Sequence, residues 1–327
     1  MSLQIGSHKF TNPVLLAPMA GVTDWPMREI ARQCGAGLCY SEMLTATTRL
    51  WKSAKSHTRL PSGLDPEPRP VQIAGSDPTE LSRAAKLCEQ MGAGIIDINM
   101  GCPAKKVCNR AAGSALLENE TLVYKILDQV VNAVSVPVTL KTRLGTDLNN
   151  KNILSIATRA EDIGIQAISI HGRTRACRFS GDADYQLIGE AASILSIPVI
   201  ANGDIQTPEK AAIVMQQTGA AAVMIGRGAW GRPWLLGQIA DYLEQGKYQM
   251  PDLGNQKQIV LQHLQLLYQH YDEYRGVRFA RKHIGWYLEG LDPGRELRKK
   301  FNQAESAKAQ LYLIENHYAM LETDEAA

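Results

Sequence analysis

The sequence predicts a (β/α)₈ TIM barrel, an α/β fold, followed by a small all-helical domain at the C-terminus. Eight short apolar runs alternate with longer segments of helical periodicity between Val14 and about Leu243, which is typical of repeated βαβ units. The chain has 327 residues, whereas a barrel alone needs about 250. Beyond residue 245 the alternation stops and only helical patterns follow.

The eight apolar runs have the composition of strands buried in a parallel sheet. An open doubly wound sheet is the main alternative, but it would usually have about five or six strands. The first strand-to-helix turn also lacks the GxGxxG pattern of such sheets. The runs cover residues 14–19, 38–43, 70–75, 95–101, 137–143, 167–173, 198–203 and 222–227.

Capping patterns predict where several helices begin. Asp77-Pro78 indicates a helix that reaches Met91, and Thr207-Pro208 indicates one that reaches Gln217. The stretch 246–256 contains Gly and Pro and breaks the alternation, so we place a domain boundary there. The predicted domains are a catalytic barrel over 1–245 and a helical domain over 246–327, with helices at 259–271, 279–291 and about 296–321.

Composition describes an ordinary globular protein. Apolar residues make up 45% of the chain and charged residues 21%, which allows a sizeable core. The first residues lack the apolar core of a signal peptide, and no apolar run is long enough for a transmembrane helix. We therefore expect a soluble cytoplasmic protein without a membrane partner. The six cysteines form no CxxC pair, so we expect reduced thiols.

Basic residues are concentrated near the C-terminal end. The net charge of the chain is +2, but residues 275–300 contain eight basic residues against three acidic ones, a local net charge of +5. Such a segment is either a solvated helix face or a surface that contacts phosphates. The basic residues are Arg275, Arg278, Arg281, Lys282, Arg295, Arg298, Lys299 and Lys300, and the acidic ones are Glu289, Asp292 and Glu296.

Polar side chains recur at the C-terminal ends of the predicted strands. In a barrel these ends meet on one face, where barrel enzymes have their active sites. We therefore predict an active site on this face. The polar positions are Gln72, Asn99, Lys141, His171 and Asn202.

Glycine-rich loops follow the last two strands, with the sequences NGDI at 202–205 and GRGAWGRP at 226–233. Glycine allows backbone N–H groups to approach a phosphate, and the N-terminus of the following helix favours its charge. Barrel enzymes often bind phosphate at these two loops. The pattern predicts a phosphorylated ligand, with tight strand-to-helix turns as the alternative.

Three residues carry reactive groups on this face. The amine of Lys141 could form a Schiff base, pair with a phosphate or lie against an electron-rich cofactor ring. His171 could be a base, a phosphate contact or a hydrogen-bonded rim residue. Cys102 precedes Lys105 and Lys106 on a predicted rim loop, so we expect an exposed thiol in a positive environment, able to act as acid, nucleophile or thiolate. No His or Cys pair with metal-ligand spacing has a second pair to match it, so no metal site is predicted.

Six motifs occur in an order that resembles the tRNA-dihydrouridine synthases, most closely their bacterial B subgroup. The likeness covers most of the chain and continues into the helical end with ARKHIGWYL at 280–288. The motifs are APMAGVTD (17–24), VQIAGSDP (71–78), IDINMGCPAKKV (96–107), HGRTR (171–175), PVIANGDI (198–205) and VMIGRGAWGRPW (223–234).

The resemblance implies a flavin-dependent oxidoreductase that reduces the C5–C6 double bond of a uracil in the D-loop of tRNA. It implies FMN as the cofactor and NADPH or NADH as the reductant. Reduced FMN gives a hydride to C6 of the uracil, and Cys102 gives a proton to C5. The implied cofactor contacts are Pro18, Met19 and Ala20 under the flavin ring, Gln72 and Lys141 on its polar edge, and His171, Asn202, Gly203, Asp204, Gly226 and Arg227 toward the ribityl chain and phosphate.

The resemblance also implies how tRNA is held at its D-loop and elbow. The target uracil must leave the base stack to reach the flavin, and Asn99 and Arg143 match the positions that contact it. The helical domain grips the tRNA through phosphate contacts, and no stable protein partner is inferred. The implied phosphate contacts are Lys105, Lys106, Arg110, Arg173, Arg175, Arg178, Arg278 and Arg281.

Three other functions are compatible with parts of the pattern. An FMN barrel that reduces a free pyrimidine, similar to dihydroorotate dehydrogenase, would use the same cavity without tRNA. A phosphate-binding aldolase or isomerase would use Lys141 as a Schiff-base lysine and bind no flavin. An RNA-binding protein built on an inactive barrel would not need the thiol of Cys102.

Overall fold

The computed structural model describes residues 2–109, 111–289 and 294–325. The predicted fold class is confirmed: parallel strands with intervening helices form a barrel, and the C-terminal region is helical. Arg110 and Asp292, which belong to the predicted phosphate contacts and to the basic segment, lie outside the described residues. Among the described residues, no helix is long and apolar enough to cross a membrane.

Eleven strands are present in the described part of the chain. The first two form an antiparallel hairpin, and the other nine form one parallel sheet in the order β4-β3-β11-β10-β9-β8-β7-β6-β5. The strands are β1 (Leu3–Ile5), β2 (His8–Phe10), β3 (Val14–Leu16), β4 (Leu38–Cys39), β5 (Leu44–Thr45), β6 (Pro70–Ala74), β7 (Ile95–Met100), β8 (Val138–Arg143), β9 (Ala167–His171), β10 (Val199–Asn202) and β11 (Ala222–Ile225).

Thirteen α-helices accompany these strands in the described residues. The first nine belong to the barrel region, and the last four form the C-terminal region. The helices are α1 (Trp25–Gln33), α2 (Ala54–His57), α3 (Pro78–Gln90), α4 (Lys105–Cys108), α5 (Glu120–Val131), α6 (Ile153–Ile163), α7 (Gln186–Ile194), α8 (Pro208–Thr218), α9 (Leu235–Gln245), α10 (Leu253–His270), α11 (Glu273–Tyr287), α12 (Gly294–Gln303) and α13 (Ala307–Glu325).

The second predicted strand is divided in two, which corrects the single run predicted at 38–43. β4 pairs with β3, whereas β5 pairs with β6. The residues between the two strands include the buried polar side chains of Ser41 and Glu42. Oε1 of Glu42 lies 2.6 Å from Nη2 of Arg59. Because β4 and β5 are only a few residues apart and are the two ends of the sheet order, this segment closes the barrel.

An N-terminal hairpin that the sequence reading missed lies at the opposite end of the barrel from the polar face. Leu3, Ile5 and Phe10 of this hairpin join the apolar cluster formed by inward-facing strand residues such as Ile95 and Ile200. A side chain at Gly6, the turn residue with φ 57°, would collide with Pro137 and Gln166, which directly precede β8 and β9. The hairpin therefore closes the N-terminal end of the barrel.

The predicted helix starts agree with the caps in the structure. Asp77 accepts a hydrogen bond from the backbone N–H of Glu80 and caps α3, and Thr207 does the same for α8 through Lys210. α10 and α11 begin earlier than predicted because Asp252 and Asp272 cap them. Unrecognised aspartate caps account for both differences.

The last predicted helix, 296–321, is two helices, α12 and α13, and not one. The break falls just before Ser306, whose hydroxyl accepts from the backbone N–H of Ala309 and starts α13. Folding back allows Phe301 of α12 and Ile314 and Tyr318 of α13 to share one apolar core with α10 and α11. One continuous helix would separate these side chains by several turns.

The helical region contacts the barrel through polar and aromatic groups. The hydroxyl of Tyr271 donates to Asp24 at 3.0 Å, and Lys282 donates to the carbonyl of Gly21. Trp286 on α11 stacks on Trp230 of the barrel, with ring centroids 4.4 Å apart. His263 and His283 are buried beside these contacts, close to Asp24. Each of the three residues has one atom that could bind a metal ion, and these three atoms lie within 4.8 Å of one another. The spacing of these residues in the chain gave no sign of this cluster.

Candidate active site

A cavity of about 510 Å³ opens at the C-terminal ends of the barrel strands, within the size range of cofactor pockets. It brings together every cofactor contact implied by the resemblance, together with Cys102 and the two implied uracil contacts. The predicted residues in its wall are Pro18, Met19, Ala20, Gln72, Asn99, Cys102, Lys141, Arg143, His171, Asn202, Gly203, Asp204, Gly226 and Arg227.

Cys102 lies in the loop after β7 with its backbone held on both sides. Its N–H donates to the side-chain oxygen of Asn99 at 3.1 Å, and its carbonyl accepts from the hydroxyl of Ser114 at 3.0 Å. The residue is partly buried, which corrects the expectation of an exposed thiol. Burial raises the pKa of the thiol above its usual value, although the Ala104 N–H and the charges of Arg143 and Lys141 act in the opposite direction. The protonated form therefore dominates near neutral pH, which favours an acid over a nucleophile.

Lys141, in β8, is buried with its ammonium group directed by a fixed amide. Its Nζ donates to Oδ1 of Asn202 at 3.0 Å. The Nδ2 of Asn202 donates in turn to the carbonyl of Met224 at 2.7 Å, which fixes the orientation of the amide. Burial, followed by the nearby charge of Arg143, lowers the pKa of Lys141 to about 8. The amine is therefore mostly charged at neutral pH, and a small rise in pH would remove much of this charge.

His171 is a neutral residue in a positive environment. Burial and then the charges of Arg143, Lys141, Arg173 and Arg227 lower its pKa to about 2. Its Nε2 lies 3.3 Å from a guanidinium nitrogen of Arg173. Because arginine only donates, Nε2 accepts and Nδ1 carries the proton. His171 can therefore donate from Nδ1 without adding charge.

The loops after β10 and β11 form a cradle of backbone groups. Gly203 has φ 123°, and an added Cβ would lie 2.9 Å from Ala183 and 3.3 Å from His171, so only glycine is accommodated there. The described residues supply no hydrogen-bond partner for the backbone N–H groups of Gly203, Arg227 and Gly228. These donors and the exposed Arg227 are suited to an anion.

Asp204, in the cavity wall, is held by Arg173, which lies behind it and does not line the cavity. Arg173 is almost fully buried and makes a two-pronged ion pair with Asp204 at 2.6 and 2.8 Å. It also donates to the backbone carbonyls of Ser180 and Gly181. Burial would raise the pKa of Asp204, but the hydrogen bonds from Arg173 and Ala183 outweigh it and hold that pKa below its usual value. The hydrogen bonds of the Arg173 guanidinium are therefore made to groups of the protein.

Arg143 is a buried cation at the end of β8 that links the loops after β7 and β9. Its Nε donates to the carbonyl of Gly101 at 2.7 Å, and its Nη1 donates to the carbonyls of Thr174 at 3.0 Å and Arg178 at 2.8 Å. Burial lowers its pKa to about 10. Only Nη2 has no recorded partner among the described residues, and this group can donate to a ligand in the cavity.

Two aromatic residues of the cavity wall were not predicted. The ring of Phe179 lies 5.4 Å from the guanidinium carbon of Arg143 and 4.7 Å from that of Arg227. Trp230 places its indole nitrogen 3.2 Å from the sulfur of Met19. Trp230 lies in the motif at 223–234, and a large aromatic residue in that motif could have been predicted as part of the cavity wall. Phe179 lies in a loop without periodicity, so its sequence context did not indicate a place in the cavity wall.

The remaining predicted tRNA contacts lie outside the cavity. Lys105 and Lys106 are exposed on α4, close to Cys102 in the chain. Arg175 is half-buried and pairs with Glu118 at 2.5 Å. On α11, Arg278 is exposed and packs over the ring of Tyr274 at 3.7 Å, whereas Arg281 is only partly exposed.

The chain is similar to known proteins over nearly its whole length. A family model described as dihydrouridine synthase matches residues 15–323. The chain is 51% identical over 319 residues to the tRNA-dihydrouridine synthase B of Pseudomonas aeruginosa, covering 97% of this chain and 96% of that protein. It is 47% identical over 323 residues to the protein of the same name from Pasteurella multocida, covering 98% and 97%.

A solved structure of lower similarity shows the same fold. It is an old yellow enzyme homologue from Zymomonas mobilis, with a TM-score of 0.55 and 14% sequence identity, covering 78% of this chain and 95% of that one. The match supports the barrel architecture. The family model and the relatives, which extend over nearly the whole chain, confirm the resemblance seen in the motifs: the chain belongs to the dihydrouridine synthase family of flavin-dependent oxidoreductases.

Proposed function

We propose that this chain reduces a D-loop uridine of tRNA to dihydrouridine, with FMN as its cofactor and NADPH as the reductant. The observation that carries the proposal is the convergence of a partly buried thiol, a buried ammonium group and an anion cradle in one cavity. The names of the relatives from Pseudomonas aeruginosa and Pasteurella multocida support tRNA as the substrate.

The donors of the cavity suit FMN. The N–H groups of Gly203, Arg227 and Gly228 would bind the phosphate, and His171 would donate toward the ribityl chain. Pro18, Met19 and Ala20 offer a flat, mostly apolar wall for the flavin ring. Lys141 would place a positive charge beside the pyrimidine edge of the ring, where reduction adds negative charge.

The protein's own part in the chemistry is to orient the uracil and to supply a proton. When bound, FMN supplies the hydride for C6 of the uracil. The free Nη2 of Arg143 would hold a uracil carbonyl. The thiol of Cys102 would give its proton to C5, and its raised pKa keeps that proton available near neutral pH.

We propose that residues 1–245 form the cofactor-binding domain and that 246–327 form a tRNA-binding domain. Exposed basic residues on α11 and α12 support this assignment, among them Arg278, Arg295 and Lys300. A folded RNA needs phosphate contacts well beyond a single cavity. Lys105 and Lys106 would add contacts beside the flipped uridine.

Mapping of dihydrouridine in tRNA tests the function. We expect cells without this protein to lose dihydrouridine at a D-loop position and to regain it when the gene is restored. The purified protein with FMN and NADPH should modify transcribed tRNA at the same position. Reduction of free uracil or orotate, with tRNA left unmodified, would instead support the free-pyrimidine reductase. A protein that binds no flavin would support the Schiff-base enzyme.

Replacing Arg278 and Arg281 together by alanine should raise the KM for tRNA and leave flavin reduction by NADPH almost unchanged. Each lost phosphate contact should reduce the slope of log affinity against log salt by about 0.7–0.9. The measurement is tRNA affinity at several salt concentrations. Arg83 and Arg159 are a charge-matched control pair, exposed on the helices around the barrel. An equal effect of this pair would contradict a specific contact on α11.

A further inference from the structure

Below the floor of the cavity, a chain of buried hydrogen bonds runs from β8 to the backbone of Cys102. Asp97 is 2% exposed and lies in β7, next to Thr139 in β8. One carboxylate oxygen accepts from the hydroxyl of Thr139 at 2.7 Å, and the other accepts from Nε2 of Gln72 at 2.7 Å. An ionised carboxylate can only accept, so both neighbours must donate to it.

This constraint passes along two side-chain amides. Because Nε2 of Gln72 faces Asp97, its Oε1 faces Asn99 and accepts from Nδ2 at 2.9 Å. Asn99 is thereby oriented with its Oδ1 toward the backbone N–H groups of Cys102, at 3.1 Å, and Gly101, at 3.4 Å. A turned amide at either position would set two donors or two acceptors against each other in a buried site.

We propose that Asp97 is a positioning residue for the reaction: its carboxylate fixes the direction of the Gln72–Asn99 relay and so holds the Cys102 loop at the cavity wall. The residue does not line the cavity itself. It acts through the two amides, both of which do line it. The inference rests on the proposed role of Cys102 as the proton donor.

The proposal concerns hydrogen-bond direction, and this separates it from a role of Asp97 as a counter-charge for Lys141. An asparagine at position 97 can keep the direction if its Oδ1 faces Gln72 and its Nδ2 faces Thr139, because the threonine hydroxyl can turn and accept. Without that hydroxyl the amide nitrogen has no acceptor. The two substitutions should therefore be strongly coupled.

The first test is a double-mutant cycle on reduction of tRNA by the prereduced holoenzyme in a single turnover. We expect Asp97→Asn and Thr139→Val each to slow the step by about threefold or less, and the combination to exceed the product of the two by at least about tenfold. Asp97→Asn with Thr139→Ser keeps the hydroxyl and should behave like Asp97→Asn alone. A full loss in Asp97→Asn alone would show that the charge acts and overturn the proposal, as would independent effects of the two changes.

The second test requires neither flavin nor activity, so it remains decisive if the double variant folds poorly or if Cys102 is not the acid. Asn99→Asp sets a new acceptor against Oε1 of Gln72, and we expect alkylation of Cys102 by iodoacetamide, followed by peptide mapping of the apoprotein, to rise at least about fivefold as the loop loosens. Adding Asp97→Asn lets Gln72 turn over and reverses the relay with every group paired. Alkylation should then return to within about twofold of the original rate. Absence of this rescue would contradict the relay.

Discussion

Cys102→Ala is expected to slow the reduction of tRNA by about 10²–10⁴, the usual contribution of a positioned general acid. We propose the thiol as the proton donor because it lies in the cavity wall and burial raises its pKa, which keeps it protonated near neutral pH. Its backbone is held by Asn99 and Ser114, so removal of the sulfur should leave the loop in place. Flavin content and the rate of flavin reduction by NADPH should be almost unchanged.

The measurement is a single-turnover reaction of prereduced enzyme with tRNA, with tRNA binding determined separately. Cys108→Ala is the matched control, because Cys108 is a partly buried thiol six positions along the same segment. We expect it to retain most of the activity. If Cys102→Ala reduced tRNA at the original rate, another group would have to donate the proton.

The sequence predicted the barrel because its signal is repeated and long. Eight apolar runs with helical segments between them strongly favour this fold, and the division of the second run into β4 and β5 leaves the barrel closed. Local exceptions were missed where tertiary contacts override periodicity. Glu42 pairs with Arg59, which lies outside the segment at 38–45. The fold-back of α13 onto α12 depends on an apolar core that both helices share with α10 and α11.

Many polar residues of the cavity were predictable, whereas their interactions were not. Residues such as Gln72, Lys141 and Asn202 follow from strand ends that converge in any barrel. Asp97 and Phe179 were not predicted as site residues. The roles of a buried acid in a strand and of an aromatic residue in a loop depend on tertiary contacts that the sequence does not show. Arg173, implied as a tRNA contact, donates to Asp204 in the structure.

The rate of tRNA reduction should fall as the pH rises through about 8 and Lys141 loses its charge. Burial and the neighbouring Arg143 lower the pKa of this lysine to about 8, and an amine is charged only below its pKa. The thiol of Cys102, with its pKa raised, loses its proton at higher pH. Lys141 therefore accounts for the first alkaline loss, and Cys102 for a later one.

Variants at Lys141 separate these two titrations. Lys141→Met keeps the length of the side chain without charge, and we expect it to lose about 10²–10³ in rate, as for other preorganised electrostatic groups. Its remaining activity should no longer fall near pH 8, the pKa of the lysine it lacks. Lys141→Arg keeps a cation at all accessible pH values, so its alkaline limit should move up to that of Cys102. Pre-steady-state rates between about pH 6 and 10 provide the measurement, because this window brackets the pKa of about 8 of Lys141 and extends above the ordinary thiol pKa of about 8.5. A loss near pH 8 that persisted in Lys141→Met would assign the titration to a different group and remove the proposed role of this ammonium.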